Sequence, residues 1–280
     1  MPEGEQTYVK LTYFLVTFLL AKTLIMSKRP VFMSERIIGI AALAICLPVW
    51  MAFTEPVFPA EKGKDNMLTD SEKRAGWRLL FDGRTTKGWR TYKNAQADSW
   101  EVANGQLHCK KDAALHHADL VTVKEYASFE LQLDWKVEKA ANSGVLYHVG
   151  ETHDHAYETG PEYQLIDDFG YPEALEDWQQ SGADYAMHPP SKIASRPQGE
   201  YNHSRIVVDG DHIEHWLNGF KVADFKAWTP EWQQLRTSGK WKDYPDYGSL
   251  HSGLIDLQDH GGGIWFKNIK IKVLSPRKKA

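Results

Sequence analysis

Phe129-Glu130-Leu131-Gln132-Leu133-Asp134-Trp135 alternates strictly between apolar and polar side chains. A period of two puts Phe129, Leu131, Leu133 and Trp135 on one face and the polar residues on the other. That is a β-strand with one buried and one wet face. Segments of similar composition recur on both sides of it. The early strands are expected at Arg78-Phe81, Trp100-Ala103, Gln106-Cys109, Phe129-Val137, Gly144-His148 and Glu162-Ile166. The later ones are expected at His203-Val208, His212-Leu217, Phe220-Phe225, Gly253-Asp259 and Ile264-Val273. Gly, Asp, Asn and Pro separate them, and Asn218-Gly219 between two apolar segments is the strongest hairpin signal. Many short strands joined by regular turns predict an all-β sandwich or barrel. Departures from the pattern are few. Pro172 to Gln180 does not alternate and reads as a short helix or lid. Thr229 to Leu235 reads as a helix with Thr229 as N-cap and Pro230 at its first position.

The 280 residues carry 42% hydrophobic and 25% charged side chains, the balance of a globular chain. The formal net charge of -4 and the absence of a basic stripe argue against nucleic-acid binding. The basic run Arg277-Lys278-Lys279 reads as a solvated tail. The 11 tryptophans fit either a sandwich core or stacking platforms for sugars. Cys46 falls in an apolar leader and Cys109 stands alone in the domain, so no disulfide forms within it. Cys109 follows His108 on an expected strand and reads as a small packed residue rather than a nucleophile.

Two apolar runs precede the domain, Leu11 to Ala21 and Ile37 to Phe53, the second interrupted by Pro48. Lys28, Arg29 and Arg36 lie before the second, which gives the basic flank and apolar stretch of a secretory signal. Met26 and Met33 are alternative starts, and Leu43-Ala44-Ile45-Cys46 is a weak lipoprotein box. Residues 1–54 therefore read as a leader, either a cleaved signal or a membrane anchor. The chain is expected to be exported to the periplasm, the cell exterior or a membrane surface. Residues 55–75 read as linker, 76–275 as the all-β domain and 276–280 as the basic tail.

Ten phrases occur in order across the domain. The first joins Leu80-Phe81-Asp82-Gly83 with Gly88-Trp89, and Trp100-Glu101-Val102-Ala103-Asn104-Gly105 is the second. Asp119-Leu120-Val121-Thr122, Phe129-Glu130-Leu131 and Asn142-Ser143-Gly144-Val145 follow. Gly160-Pro161-Glu162-Tyr163-Gln164-Leu165-Ile166-Asp167-Asp168 and Gly199-Glu200-Tyr201-Asn202 come next. The last are His215-Trp216-Leu217-Asn218-Gly219, Leu257-Gln258-Asp259-His260-Gly261 and Phe266-Lys267-Asn268-Ile269-Lys270. This order resembles the 3-keto-disaccharide hydrolase family, also described as 3-keto-glucoside 1,2-lyases and 3-keto-2-hydroxy-glucal hydratases. The resemblance implies a concanavalin A-like jelly-roll sandwich and a carbohydrate substrate. It implies cleavage of 3-keto-glycosides by elimination and hydration. A non-catalytic carbohydrate-binding module on the same fold is the alternative.

Such chemistry needs a base for the C2 proton, something to hold the enolate oxygen and an acid for the leaving group. Period two puts Glu162 and Gln164 on one strand face, and Asp256, Gln258 and His260 on another. Polar strand faces fit either a wet saccharide groove or a solvated outer sheet. His260, His215 and Glu162 are the catalytic candidates, with His260 or His215 as base and Glu162 as acid–base partner or metal ligand. His215 shares its strand face with Ile213 and Leu217, which equally suits a core histidine. Asn142, Gln164, Asp167, Asp168, Asn202 and Gln258 are the candidate substrate contacts, though Asn142, Asp167 and Asp168 also suit turns. The cofactor is unknown, with a divalent metal as one option. His153-Asp154-His155 and His116-His117 are metal-like spacings in loop contexts. The spacing E-x-D-x-x-E expected of laminarinase-like glucanases does not occur.

Overall fold

The computed structural model describes residues 64–275 apart from residue 113. The leader, the linker up to residue 63 and the basic tail lie outside the described residues. The rest is a concanavalin A-like jelly-roll sandwich of two antiparallel sheets. The larger has the order β11 (Phe220–Lys226), β10 (His212–Leu217), β9 (Asn202–Asp209), β6 (Phe129–Val137), β13 (Ile264–Val273), β4 (Gln106–Cys109) and β3 (Trp100–Ala103). A short β1 (Arg78–Leu79) also pairs with β13. The smaller runs β2 (Trp89–Thr91), β5 (Leu120–Thr122), β12 (Leu254–Leu257), β7 (Asn142–Val149) and β8 (Glu162–Ile166).

The alternation in β6 is realised residue by residue: its odd positions from Phe129 to Val137 are buried and the even ones half-buried. Leu131, Leu133 and Trp135 face Val145 and Tyr147 of β7, Tyr163 and Leu165 of β8, and Ile255 and Leu257 of β12 in one core. Each such side chain contributes about 1.5–3 kcal/mol when fully buried. Asn218 and Gly219 both have positive φ, 49° and 84°, the turn geometry that matches strand twist in a two-residue hairpin. Two strands, β2 and β5, are too short to show a period and went unpredicted. The helix α2 (Pro230–Ser238) starts at Thr229, whose hydroxyl accepts the Trp232 amide at 3.2 Å. Between Pro172 and Gln180 only the turn Asp177–Gln179 is helical.

The linker boundary is corrected at its inner end. Asn66 is buried and exchanges hydrogen bonds with Asn268, while Lys267 pairs with Asp65 and Lys270 with Glu72. The helix α1 (Asp70–Arg74) is closed by a capping box between Thr69 and Glu72. Backbone amides that would otherwise be orphaned at a chain end are thus paired, and the folded body includes residues 65–75.

One polar chain crosses the core. Trp135 Nε1 donates to Ser204 Oγ at 2.8 Å, Ser204 Oγ donates to the Tyr163 hydroxyl at 2.8 Å, and that hydroxyl donates to the Trp216 carbonyl at 3.0 Å. It links β6, β9 and β10 of the larger sheet to β8 of the smaller. Ser204→Ala leaves the Trp135 donor buried and unpaired, so we expect a loss of about 1–3 kcal/mol in denaturant unfolding. An unchanged midpoint would show that the chain carries no load.

Candidate active site

Alternation in the smaller sheet decides where the polar residues go. Tyr163 and Leu165 point into the core, so Glu162 and Gln164 point outward. Val145 and Tyr147 point inward, so Asn142, Gly144 and Leu146 share the outer face of β7. Ile255 and Leu257 point inward, so Asp256 and, beyond the strand, Gln258 lie outward. One part of this outer face is apolar: Tyr92, Val121, Leu146, Val149, Ala156 and Leu254 form a small second core. The rest is a groove of about 270 Å³, near the lower end of small-molecule sites at about 300–1,000 Å³.

Five residues expected from the sequence line this groove: Asn142, Glu162, Gln164, Gln258 and His260. Its other lining residues, Tyr157, Tyr185, Lys240, Trp241 and Tyr244, went unpredicted because they lie on irregular loops with no periodicity. The aromatic density of Lys240-Trp241-Lys242-Asp243-Tyr244-Pro245-Asp246-Tyr247 was the available signal. Trp241 stacks on Tyr247 at 4.0 Å and donates to the Tyr185 carbonyl at 3.0 Å. Tyr185 in turn is fixed by its amide, which donates to the Glu162 carbonyl at 3.0 Å. Together with the Gly182 amide on the Gln164 carbonyl, this segment covers the free edge of β8. A larger hollow of about 490 Å³ lies beside Trp265 and Lys136. Its tryptophan is already stacked on His108 and lies near the Lys136 ammonium, and Glu138 among three lysines is the one carboxyl of its described lining.

Four expected site residues lie elsewhere. His215 is wholly buried between the sheets, on the far side of the smaller sheet from the groove. Its Nδ1–H donates to the Gly182 carbonyl at 3.1 Å, and its Nε2 faces the Tyr147 hydroxyl at 3.3 Å. Burial pushes its pKa down to about 3, so it stays neutral and structural; its strand parity with Ile213 and Leu217 is the reason. Asp167 accepts the amides of Ala140, Phe169 and Gly170 and closes a turn. Asp168 holds the Ser181 amide and the Ser195 hydroxyl. Asn202 accepts from the Arg196 amide and the Asn218 side chain. All three spend their acceptors on loop bracing. The loop histidines also take separate partners. His153 pairs with Asp246, His155 stacks on Tyr157, and His117 pairs with Asp259.

The outer face of the smaller sheet, at the groove and in the buried layer beside it, is electrostatically unusual. Glu162 is 5% exposed, and burial pushes its carboxyl up to about 8, with Lys240 opposing and Asp119 and Asp184 adding to the rise. Asp119 is raised by burial to about 7. Asp256, wholly buried, is pushed well above the usual carboxylate range by burial and then by Asp119 and Glu162. Lys240 is drawn below its ordinary value by desolvation, against the pull of Glu162; its ammonium rests 4.0 Å from the Tyr185 ring centre.

Comparison with known proteins now decides the family. Residues 76–272 match the model of the 3-keto-alpha-glucoside-1,2-lyase-like domain. The chain belongs to that family. A 3-keto-disaccharide hydrolase of Bacteroides thetaiotaomicron is 29% identical over 255 residues, covering 81% of this chain and 87% of the relative. A crystal structure of a candidate glycosyl hydrolase from Parabacteroides distasonis is 42% identical, with a TM-score of 0.71 over 76% of this chain and 100% of that one. A second from the same organism is 28% identical, with a TM-score of 0.55 over 71% and 99%. The expectation of a glycoside-cleaving enzyme stands on this membership.

The raised carboxyls set a pH dependence. Glu162 ionises near 4.5 in the unfolded chain and near 8 when folded, so the folded state favours its proton. The stability this provides is full below about pH 4.5 and is lost as pH rises through about 8. In chelated buffer, unfolding of the wild-type chain should weaken across that window. Glu162→Gln should remove part of the slope and gain roughly 1–3 kcal/mol above pH 8. A variant whose slope matches the wild type would show that Glu162 is not the titrating group.

Proposed function

We propose that this chain cleaves 3-keto-glycosides, 3-keto-disaccharides among them, by elimination across C1 and C2 followed by hydration. The observation that carries this reading is the convergence of His260, Glu162 and Lys240 in one saccharide-sized groove of a family member. A C3 ketone acidifies the C2 proton. Removing that proton gives an enolate, which expels the C1 substituent. Adding water across the resulting double bond, hydroxyl to C1 and hydrogen to C2, completes a net hydrolysis.

His260 lies exposed at the groove rim and is the candidate base. Glu162 and Lys240 stand where negative charge develops on the keto oxygen. A carboxyl that keeps its proton near neutrality donates a hydrogen bond there, and the ammonium adds field. Tyr157, Tyr185 and Tyr244 supply apolar walls with polar tips for sugar rings. Asn142, Gln164 and Gln258 supply both donors and acceptors for hydroxyls. Direct glycosidase chemistry needs two carboxyls flanking the scissile bond. Glu162 is the one carboxyl among the described residues that line the groove, which favours elimination.

The test is turnover of a 3-keto-glucoside, with the matching unoxidised sugar as control. His260→Ala and Glu162→Gln should each lower turnover by roughly 10²–10⁴-fold while remaining folded. His215→Ala should lose about 1–3 kcal/mol of stability yet keep near-wild-type turnover per folded molecule. Wild-type rates in both groove variants would remove them from the reaction. Cleavage of the unoxidised sugar would replace the elimination reading.

A further inference from the structure

The floor of the groove has a gap in it. Gly144 pairs with Gln164 of β8 on one side, and its carbonyl accepts the Gln258 amide at 3.0 Å on the other. Leu146, two residues on and on the same face, lies opposite Glu162 of β8 and opposite Asp256 of β12. Asn142, two residues back, shares that face. Five oxygen-bearing side chains therefore surround a residue that has none of its own, and one of them, Gln164, already accepts the Leu165 amide. A Cβ on Gly144 would lie 2.6 Å from Glu162 Oε1, so this carboxylate occupies space that only glycine leaves open.

The oxygens around this patch lack donors. Asp256 is 0% exposed, and neither of its carboxylate oxygens has a hydrogen-bond partner among the described residues. Asn142 Oδ1 and Gln258 Oε1 are likewise buried and unpartnered. Folded proteins rarely leave buried acceptors unpaired, and a charged one is the costliest to leave. Buried acceptors that share one sheet face and lack donors are accounted for by a cation. We propose that the patch over Gly144 seats a hard divalent cation, held by Glu162, Asp256 and the side-chain oxygens of Asn142 and Gln258.

The donor set narrows the ion. All four groups offer oxygen, and no thiolate or imidazole belongs to the set, which favours calcium, magnesium or manganese over zinc or copper. Two carboxylates match the charge of a divalent ion, and water or sugar hydroxyls complete its shell. Lys240 acts on Glu162 through its field, but its ammonium rests on the Tyr185 and Trp241 rings and makes no hydrogen bond to Asp256, whose oxygens have no partner among the described residues. The cluster His212, Glu214 and Asp224 on the larger sheet is a weaker seat. His212 and Lys221 already neutralise Asp224 there. The proposal deepens the reading of the groove as a 3-keto-glycoside site: a cation over Gly144 would take the enolate charge, with Glu162 as its ligand.

The experiment strips the full chain with a chelator and follows thermal unfolding at fixed pH. Calcium, magnesium or manganese chloride is added against sodium chloride of matched ionic strength. One of the three should raise the melting temperature saturably, with one ion per chain by calorimetry. Asp256→Asn and Glu162→Gln should each weaken that ion's affinity by roughly tenfold or more. Gly144→Ala, whose Cβ would push the Glu162 carboxylate aside, should weaken binding as well, and Asp224→Asn should leave it unchanged. No shift beyond ionic strength overturns the proposal, as does a shift that survives Asp256→Asn and disappears in Asp224→Asn. The two readings fail separately. Turnover of a 3-keto-glucoside by a chain that binds no cation removes the cation alone. Cation binding without any cleavage removes the hydrolase reading.

Discussion

The Tyr163 hydroxyl ties the two sheets together, and the groove depends on that tie. It accepts from Ser204 and donates to the Trp216 carbonyl, which fixes the face that β8 turns to the core. A one-residue slip in β8 would send Tyr163 outward and Glu162 and Gln164 into the hydrophobic core. Burying those two polar groups without partners would be costly. The same constraint therefore pins the sandwich and aims the site. The segment from Gly182 to Tyr185 adds to it by pairing along the outer edge of β8, which also brings Tyr185 to the groove.

The floor is built from groups that the fold leaves short of partners. Glu162, Asp119 and Asp256 lie on one sheet face, and burial, with added repulsion from neighbouring carboxylates, raises all three above the usual carboxylate range. Leaving the Asp256 carboxyl without a partner among the described residues lowers stability, and such unrelieved cost concentrates at functional sites. A developing negative charge on a ligand would meet proton-bearing carboxyls and the Lys240 ammonium. A cation would meet their ionised forms. Either way, the arrangement favours a ligand whose oxygen gains charge during reaction, as the enolate of a 3-keto sugar does.

Much of the fold was legible because period two survives tertiary packing. Phe129 to Trp135 alternates in the sequence and alternates in burial, and Asn218-Gly219 forms the turn that its residue types require. Strands of three residues, such as Leu120–Thr122, carry too little pattern to be seen. The inner end of the linker was misread because Asn66 and Glu72 are held by residues about 200 positions away in sequence. In the site, parity located Glu162, Gln164 and Gln258 correctly on the outer face. It also gave the competing reading of His215 as a core residue, and the structure adopts that reading. Asp167, Asp168 and Asn202 look the same in sequence whether they brace a loop or touch a ligand. The groove's aromatic wall comes from Tyr157, Tyr185 and Tyr244 on irregular chain, where no local rule connects residues this far apart.

Elimination followed by hydration leaves a mark on the product that direct displacement at C1 does not. The most direct measurement is the reaction of a 3-keto-glucoside in deuterium oxide, with the released 3-keto sugar followed at early times by NMR and mass spectrometry. The account predicts one solvent-derived deuterium at C2 of the product. It also predicts that His260→Ala slows deuterium incorporation and glycoside cleavage together. A product that retains its original hydrogen at C2 would show that the bond breaks by displacement, and would contradict the account.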